Sequence, residues 1–221
     1  MSMNLKSLSA FAVALAVLAV PTVGAQPKPD QELSIAASAS KLTVGQELKV
    51  TGNLTGGTAQ DISGQKITLR RDPFPYDGAY QRVDDVQTND AGEYSFTLKP
   101  DMNARYRTSA KGGVESPEVT VLVRVAVTLL VSDKTPDRGD KVTFSGGVAP
   151  AHDSKVAKIQ RRTRKGWKRI AKTVLQDAGK DASSYSKDVT IRKSGRYRVR
   201  VKPRDGDHKA GKSKAIRLKV Q

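Results

Sequence analysis

Four cations within eight residues carry the most chemical information in this chain. In Gly195-Arg196-Tyr197-Arg198-Val199-Arg200-Val201-Lys202, the residues Arg196, Arg198, Arg200 and Lys202 alternate with Tyr197, Val199 and Val201. A period of two places alternate side chains on opposite faces of a β-strand, so the cations share one face and the apolar residues enter a core. Such a row makes and breaks no bonds. Its chemistry is electrostatic capture of a polyanion, whose repeated negative groups meet repeated positive ones.

The same alternation widens the row. With Ile216, Leu218 and Val220 inward, Arg217 and Lys219 face out; with Ile159 inward, Lys158, Gln160 and Arg162 face out. Both strands are expected beside the one that carries Tyr197. Arg164, Lys165, Lys168 and Arg169 then cap one end through a hairpin around Gly166. Charge is segregated along the chain as well. Residues 26–124 hold 12 Lys and Arg against 13 Asp and Glu, a net of −1, whereas residues 125–221 hold 26 against 9, a net of +17. The functional signal therefore sits in the second half.

A face of this kind needs strands to position it, and the chain supplies them twice. Gly45, Leu48, Val50 and Gly52 recur as Gly139, Val142, Phe144 and Gly146 at a constant offset of 94 residues. With shifts of the size that loops produce, 67–71 parallels 157–161, 80–83 parallels 167–170, 94–98 parallels 187–191, 105–107 parallels 196–198, and 119–123 parallels 216–220. A repeat of ~95 residues, built from short alternating segments and Gly-rich turns, predicts tandem antiparallel β-sandwiches of about seven strands each. The expected domains are 33–124, near neutral, and 125–221, strongly basic, after an extended leader at 26–32. Thr120 to Val131 runs almost wholly apolar, which predicts a short, semi-rigid junction rather than a flexible linker. Tyr106 and Tyr197 are expected to bury their rings and bond nearby backbone through their hydroxyls.

Several of these segments resemble a known family. Leu42-Thr43-Val44-Gly45-Gln46 with Val50-Thr51-Gly52, a strand ending in Arg70-Arg71, Tyr80, the stretch Thr88-Asn89-Asp90-Ala91-Gly92-Glu93-Tyr94-Ser95-Phe96, and Tyr106 are similar to bacterial immunoglobulin-like or fibronectin-III-like repeats of secreted and cell-surface proteins. The second unit departs from the pattern: Gln176-Asp177-Ala178-Gly179-Lys180 keeps the turn without the Tyr-x-Phe that follows it. The resemblance implies two tandem immunoglobulin-like sandwiches and leaves the function to be argued from individual residues.

Residues 1–25 are expected to be a secretory signal peptide. Lys6 supplies the positive start, Ala10 to Val20 is unbroken apolar, and Val23-Gly24-Ala25 offers small residues for cleavage. Eleven apolar residues fall short of the ~20 that span a bilayer as a helix. After cleavage the chain is expected to be secreted, or held non-covalently at a cell surface. The absence of cysteine excludes disulfides and thiolate metal sites.

Other candidates are weaker. The segment 71–80 carries Phe74, Tyr76 and Tyr80 with two prolines, a stiffened loop that suits a protein or glycan partner; the other reading folds its aromatics onto the sandwich edge. Arg138-Gly139-Asp140 reads as a tight turn, because Val44-Gly45-Gln46 stands at the same place in the first unit. Asp84, Asp85, Asn89, Asp90 and Glu93 lack the ligand spacing of a calcium loop. His152 and His208 lie in loops, without cysteine or a nucleophile elbow, and Asp84 and Asp85 point to opposite faces of a strand, so no enzyme is expected. Trp167 is read as a packing residue, and with so few aromatics among the cations a nucleic acid is disfavoured.

The expected protein is thus exported and non-enzymatic, needs no cofactor or metal, and contacts an anionic polymer of a wall or envelope through its basic second domain. A purely structural spacer is the alternative, ahead of a nucleic-acid binder or a small exported hydrolase.

Overall fold

The structure is a computed structural model that describes residues 30–221. The expected signal peptide, and the leader up to residue 29, lie outside the described residues. The fold is all-β, with a single four-residue helix at Ala59–Ile62 among the described residues. No helix among them is long and apolar enough to cross a membrane.

In the first half, strand Leu48–Thr55 pairs with Glu93–Leu98 on one side and with the short strands Glu32–Leu33 and Ala36–Ala37 on the other. A second sheet runs Gln81–Gln87, Lys66–Pro73, Ala104–Ser109, Val119–Arg124 and, parallel to the last, Lys41–Thr43. Leu48, Val50 and Phe96 from one sheet meet Ile67, Leu69, Tyr106 and Val121 from the other in a single cluster. The second half repeats the plan. Lys141–Ala149 pairs with Ser183–Thr190 in one sheet. Gly166–Val174, Val156–Thr163 and Gly195–Val201 form the other, with Gly211–Lys212 and Ile216–Leu218 both beyond Gly195–Val201. Phe144, Tyr185, Ile159, Tyr197, Val199 and Leu218 share its core. Along the chain, the first cluster ends at Val123 and the second begins at Val125.

Strand phase follows the alternation. Tyr197, Val199 and Val201 are buried, while Arg196, Arg200 and Lys202 are exposed and Arg198 is half-buried. Tyr197 Oη donates to the Lys193 carbonyl, four residues upstream, at 2.5 Å. Tyr106 differs. Its ring is equally buried, but its hydroxyl has no partner, and burial pushes its ionisation up to about 12. The loop before this strand turns to the second half, with Asn103 N and Nδ2 donating to the Asp207 and Gly206 carbonyls.

The internal repeat needs one correction. Tyr94 corresponds to Tyr185, and not to Lys187 as the sequence parallel has it. Both tyrosines sit across from a strand glycine, Tyr94 opposite Gly52 and Tyr185 opposite Gly146. Each lays its hydroxyl over that glycine to reach a backbone carbonyl in the break between two short edge strands, Ser34 or Thr128. The second half therefore keeps the tyrosine and loses only the following phenylalanine. Where Val50 faces Phe96, Phe144 faces Lys187, so the large ring has changed strands and the freed position turns to solvent.

Candidate functional site

Register turns the basic strand into a basic face. Lys172, Lys158, Arg200 and Lys212 stand directly opposite one another across four strands. The next row holds Arg169, Gln160 and Arg198, and Arg196 faces Arg217 farther along. Directly opposed side chains on one face lie roughly 5 Å apart at Cβ, so like charges there repel. Among the described residues, no salt bridge joins a Lys or Arg of the second half to an acid.

The first half shows what the same scaffold does when it is neutral. Arg107 pairs with Glu115 at 2.8 Å, and Arg105 lies 3.8 Å from Glu118. Ser116 bonds the Thr108 backbone and the Pro117 carbonyl, and Ser213 bonds the Val199 backbone and the Lys214 carbonyl in the same way. That match places Lys212 where the first half has Glu115, and Ala215 where it has Glu118. Two acids have been replaced beside arginines that remain. Burial, then the charges of Arg200 and Arg162, pull the ionisation of Arg198 below the ordinary guanidinium value. The face is unfavourable to itself.

Trp167 lies on this face and outside the core cluster, so what packs against it is the Arg198 side chain and not the sandwich interior. The Arg198 guanidinium stacks 4.0 Å from its ring centroid and Arg162 approaches to 5.9 Å. Arg198 Nε also donates to Gln160 Oε1 at 2.9 Å, which fixes the guanidinium plane. Gln160 faces outward as expected but is covered by that arginine. Two shallow grooves of about 400 Å³ cut the face. One is lined by Lys158, Arg169, Lys172, Arg200 and Lys202, the other by Arg162, Trp167, Arg196, Arg198 and Lys212.

The structure thus brings together Lys158, Arg162, Arg169, Arg196, Arg198, Arg200, Lys202 and Arg217. It separates Lys168 from them. A bulge at Ile170 lets Gln160 pair with Arg169 and Arg161 with Lys168, which puts Arg169 on the face, at its edge strand, and Lys168 on the opposite phase. Arg164, Lys165 and Lys168 remain at the hairpin end, and Lys219 follows the last strand, where its N–H bonds the Lys134 carbonyl. Lys172 and Lys212 are the residues that sequence reasoning missed. Lys172 is hidden by the bulge, which breaks the alternation one residue before Ala171, and Lys212 by the shortness of its strand.

The remaining candidates are occupied within the fold. Phe74 packs against Gly206 of the second half, Tyr76 lies under Arg105, and Tyr80 lies under Arg107 while its hydroxyl donates to Glu118. Asp85 is held by Lys66, Arg82 and Thr68, and Asn89 caps its own turn at Ala91 and Glu93. Asp140 accepts from Asp137 N, which folds the Arg138-Gly139-Asp140 turn on itself. His152 and His208, distant in sequence, converge on Asp205.

No protein-family model matches this chain, and no curated protein matches it.

Proposed function

We propose that this is an exported, non-enzymatic protein of two immunoglobulin-like domains whose second domain binds an anionic polymer of a cell wall or envelope. One observation carries the reading. A scaffold used twice in the chain neutralises Arg105 and Arg107 with Glu118 and Glu115, but sets Ala215 and Lys212 beside Arg196 and Arg198. Opposed like charges cost stability. A polyanion laid along the rows relieves that repulsion and releases its own counterions as it binds. The first domain positions the second.

The test compares the full chain with Lys172→Ser/Arg196→Ser/Arg200→Ser, three exposed positions that leave the Arg198–Trp167 stack intact. Binding to poly(glycerol phosphate) is measured at several salt concentrations. The parent is expected to lose ~10³-fold or more in affinity between 50 and 200 mM salt, and the variant to show a log–log slope shallower by about 2–3. Equal, salt-insensitive retention of both proteins would mean that the molecule is a spacer without this ligand.

A further inference from the structure

The seam between the halves contains an arrangement that the basic face does not use. His152 precedes strand Val156–Thr163, and Asp205 and His208 lie in the loop after strand Gly195–Val201. One donor atom from each of the three lies within 4.8 Å of the other two. Both imidazoles are more than nine-tenths buried, at 6 % and 7 % exposure, and their rings meet edge to face at 5.0 Å.

Backbone carbonyls decide which nitrogen of each ring faces the cluster. His152 Nδ1 lies 2.8 Å from the Pro150 carbonyl and His208 Nε2 lies 2.7 Å from the Asp101 carbonyl. A carbonyl can only accept, so those two nitrogens carry the N–H. The nitrogens left to face the cluster are His152 Nε2 and His208 Nδ1. The first is hydrogen-bonded to Asp205 Oδ2 at 2.8 Å, and the second is buried with no hydrogen-bond partner, 3.9 Å from the same oxygen. Two bare acceptors would repel at 2.8 Å, so a proton is shared between His152 Nε2 and Asp205 Oδ2, and an arriving metal ion displaces it. His208 N donates to Asp205 Oδ1 at 3.1 Å, which holds the carboxylate in this orientation.

We propose that His152 Nε2, His208 Nδ1 and the Asp205 carboxylate bind a divalent late first-row transition-metal ion of the zinc class. Imidazole and carboxylate donors suit such ions, and a ligating histidine ordinarily donates its other N–H to a carbonyl or carboxylate, as both do here. A tetrahedral zinc ion with bonds of 2.0–2.2 Å holds its donor atoms ~3.3–3.6 Å apart. The separations of 2.8 and 3.9 Å from Asp205 Oδ2 bracket that range. Three protein ligands leave the fourth position to water at the partly open Asp205 side.

The position gives the ion a structural role. The loop that carries Asp205 and His208 also receives Asn103 N and Nδ2 on its Asp207 and Gly206 carbonyls, and its Lys209 N donates to the Val123 carbonyl at 2.7 Å. An ion there ties that loop to His152 and so fixes the second-half loop that meets the first half.

The test uses the tag-free full chain, whose histidines number only two. Titration with Zn²⁺ is expected to saturate at about one ion per chain and to raise the thermal unfolding midpoint, with Mg²⁺ doing neither. ¹⁵N-resolved imidazole spectra are expected to show His152 Nε2 and His208 Nδ1 shifting together at the same stoichiometry. His208→Ala and Asp205→Asn are each expected to weaken binding at least tenfold. The spectra need no variant, so they decide the matter even where a substitution unfolds the loop. Absent saturable binding, or saturation with both imidazoles unperturbed, overturns the proposal. Either result leaves the polymer-binding face untouched.

Discussion

The Arg198 guanidinium lies 4.0 Å above the ring centroid of Trp167, and Arg107 lies 3.9 Å above Tyr80 at the corresponding place in the first half. The repeat therefore keeps a cation–aromatic stack on the outer face of each sandwich while it changes the charge around it. In the first half Glu115 completes the stack; in the second Lys212 opposes it. A stack of this sort contributes ~0.5–2 kcal/mol, enough to hold Arg198 in place against its like-charged neighbours.

Trp167 is the only tryptophan in the chain, and it lines the groove that also holds Arg162, Arg196 and Lys212. Its emission should change as poly(glycerol phosphate) is added and should recover when salt is raised. A complete binding isotherm by another method with unchanged tryptophan emission would place the polymer elsewhere on the molecule.

Lys212→Glu should restore the arrangement of the first half. The new carboxylate faces Arg200 across the sheet and stands beside Arg198 as Glu115 stands beside Arg107. An exposed pair of this kind adds up to ~1 kcal/mol, so the unfolding midpoint in urea should rise slightly. Polymer affinity should fall at the same time. Opposite signs from one substitution identify charge tolerated for binding; a gain or loss in both measurements argues against that assignment.

Gly146→Ala should be costly. A methyl group there would collide with the Thr128 carbonyl and approach the Tyr185 hydroxyl to 2.8 Å, and backbone cannot yield as a side chain can. Overpacking of this kind costs ~1–3 kcal/mol or more. Gly179→Ala meets no neighbouring atom but forces alanine into a positive φ of 97°, so it separates steric from conformational cost. Urea denaturation should rank Gly146→Ala below Gly179→Ala.

Asp85 accepts from Arg82, Lys66 and Thr68, and these bonds hold its ionisation well below the ordinary carboxylate range. The folded value lies below the unfolded value of ~3.9. Its stabilising contribution is thus complete above the unfolded value and is lost as pH falls through that value toward the folded one. Thermal midpoints measured from neutral pH down to about pH 2 should fall less steeply below pH ~4 in Asp85→Asn than in the parent. Parallel acid limbs would show that the carboxylate is not held in solution.

Much of the face is written in the sequence by itself, because alternation is a property of the local backbone. Arg196, Arg198, Arg200, Arg217 and Lys158 have to share a side once Tyr197, Val199, Leu218 and Ile159 are assigned to a core. Charge segregation between the halves is likewise a matter of counting. What lies across from what depends on register, and register depends on bulges and loop lengths that local pattern does not encode. One extra residue at Ile170 brings Arg169 and Lys172 onto the face and turns Lys168 away. The same long-range pairing reveals Tyr185 as the counterpart of Tyr94. The meeting of His152, Asp205 and His208 is tertiary altogether: three loop residues of the second half with no shared period, His208 being held in addition by the Asp101 carbonyl of the first half.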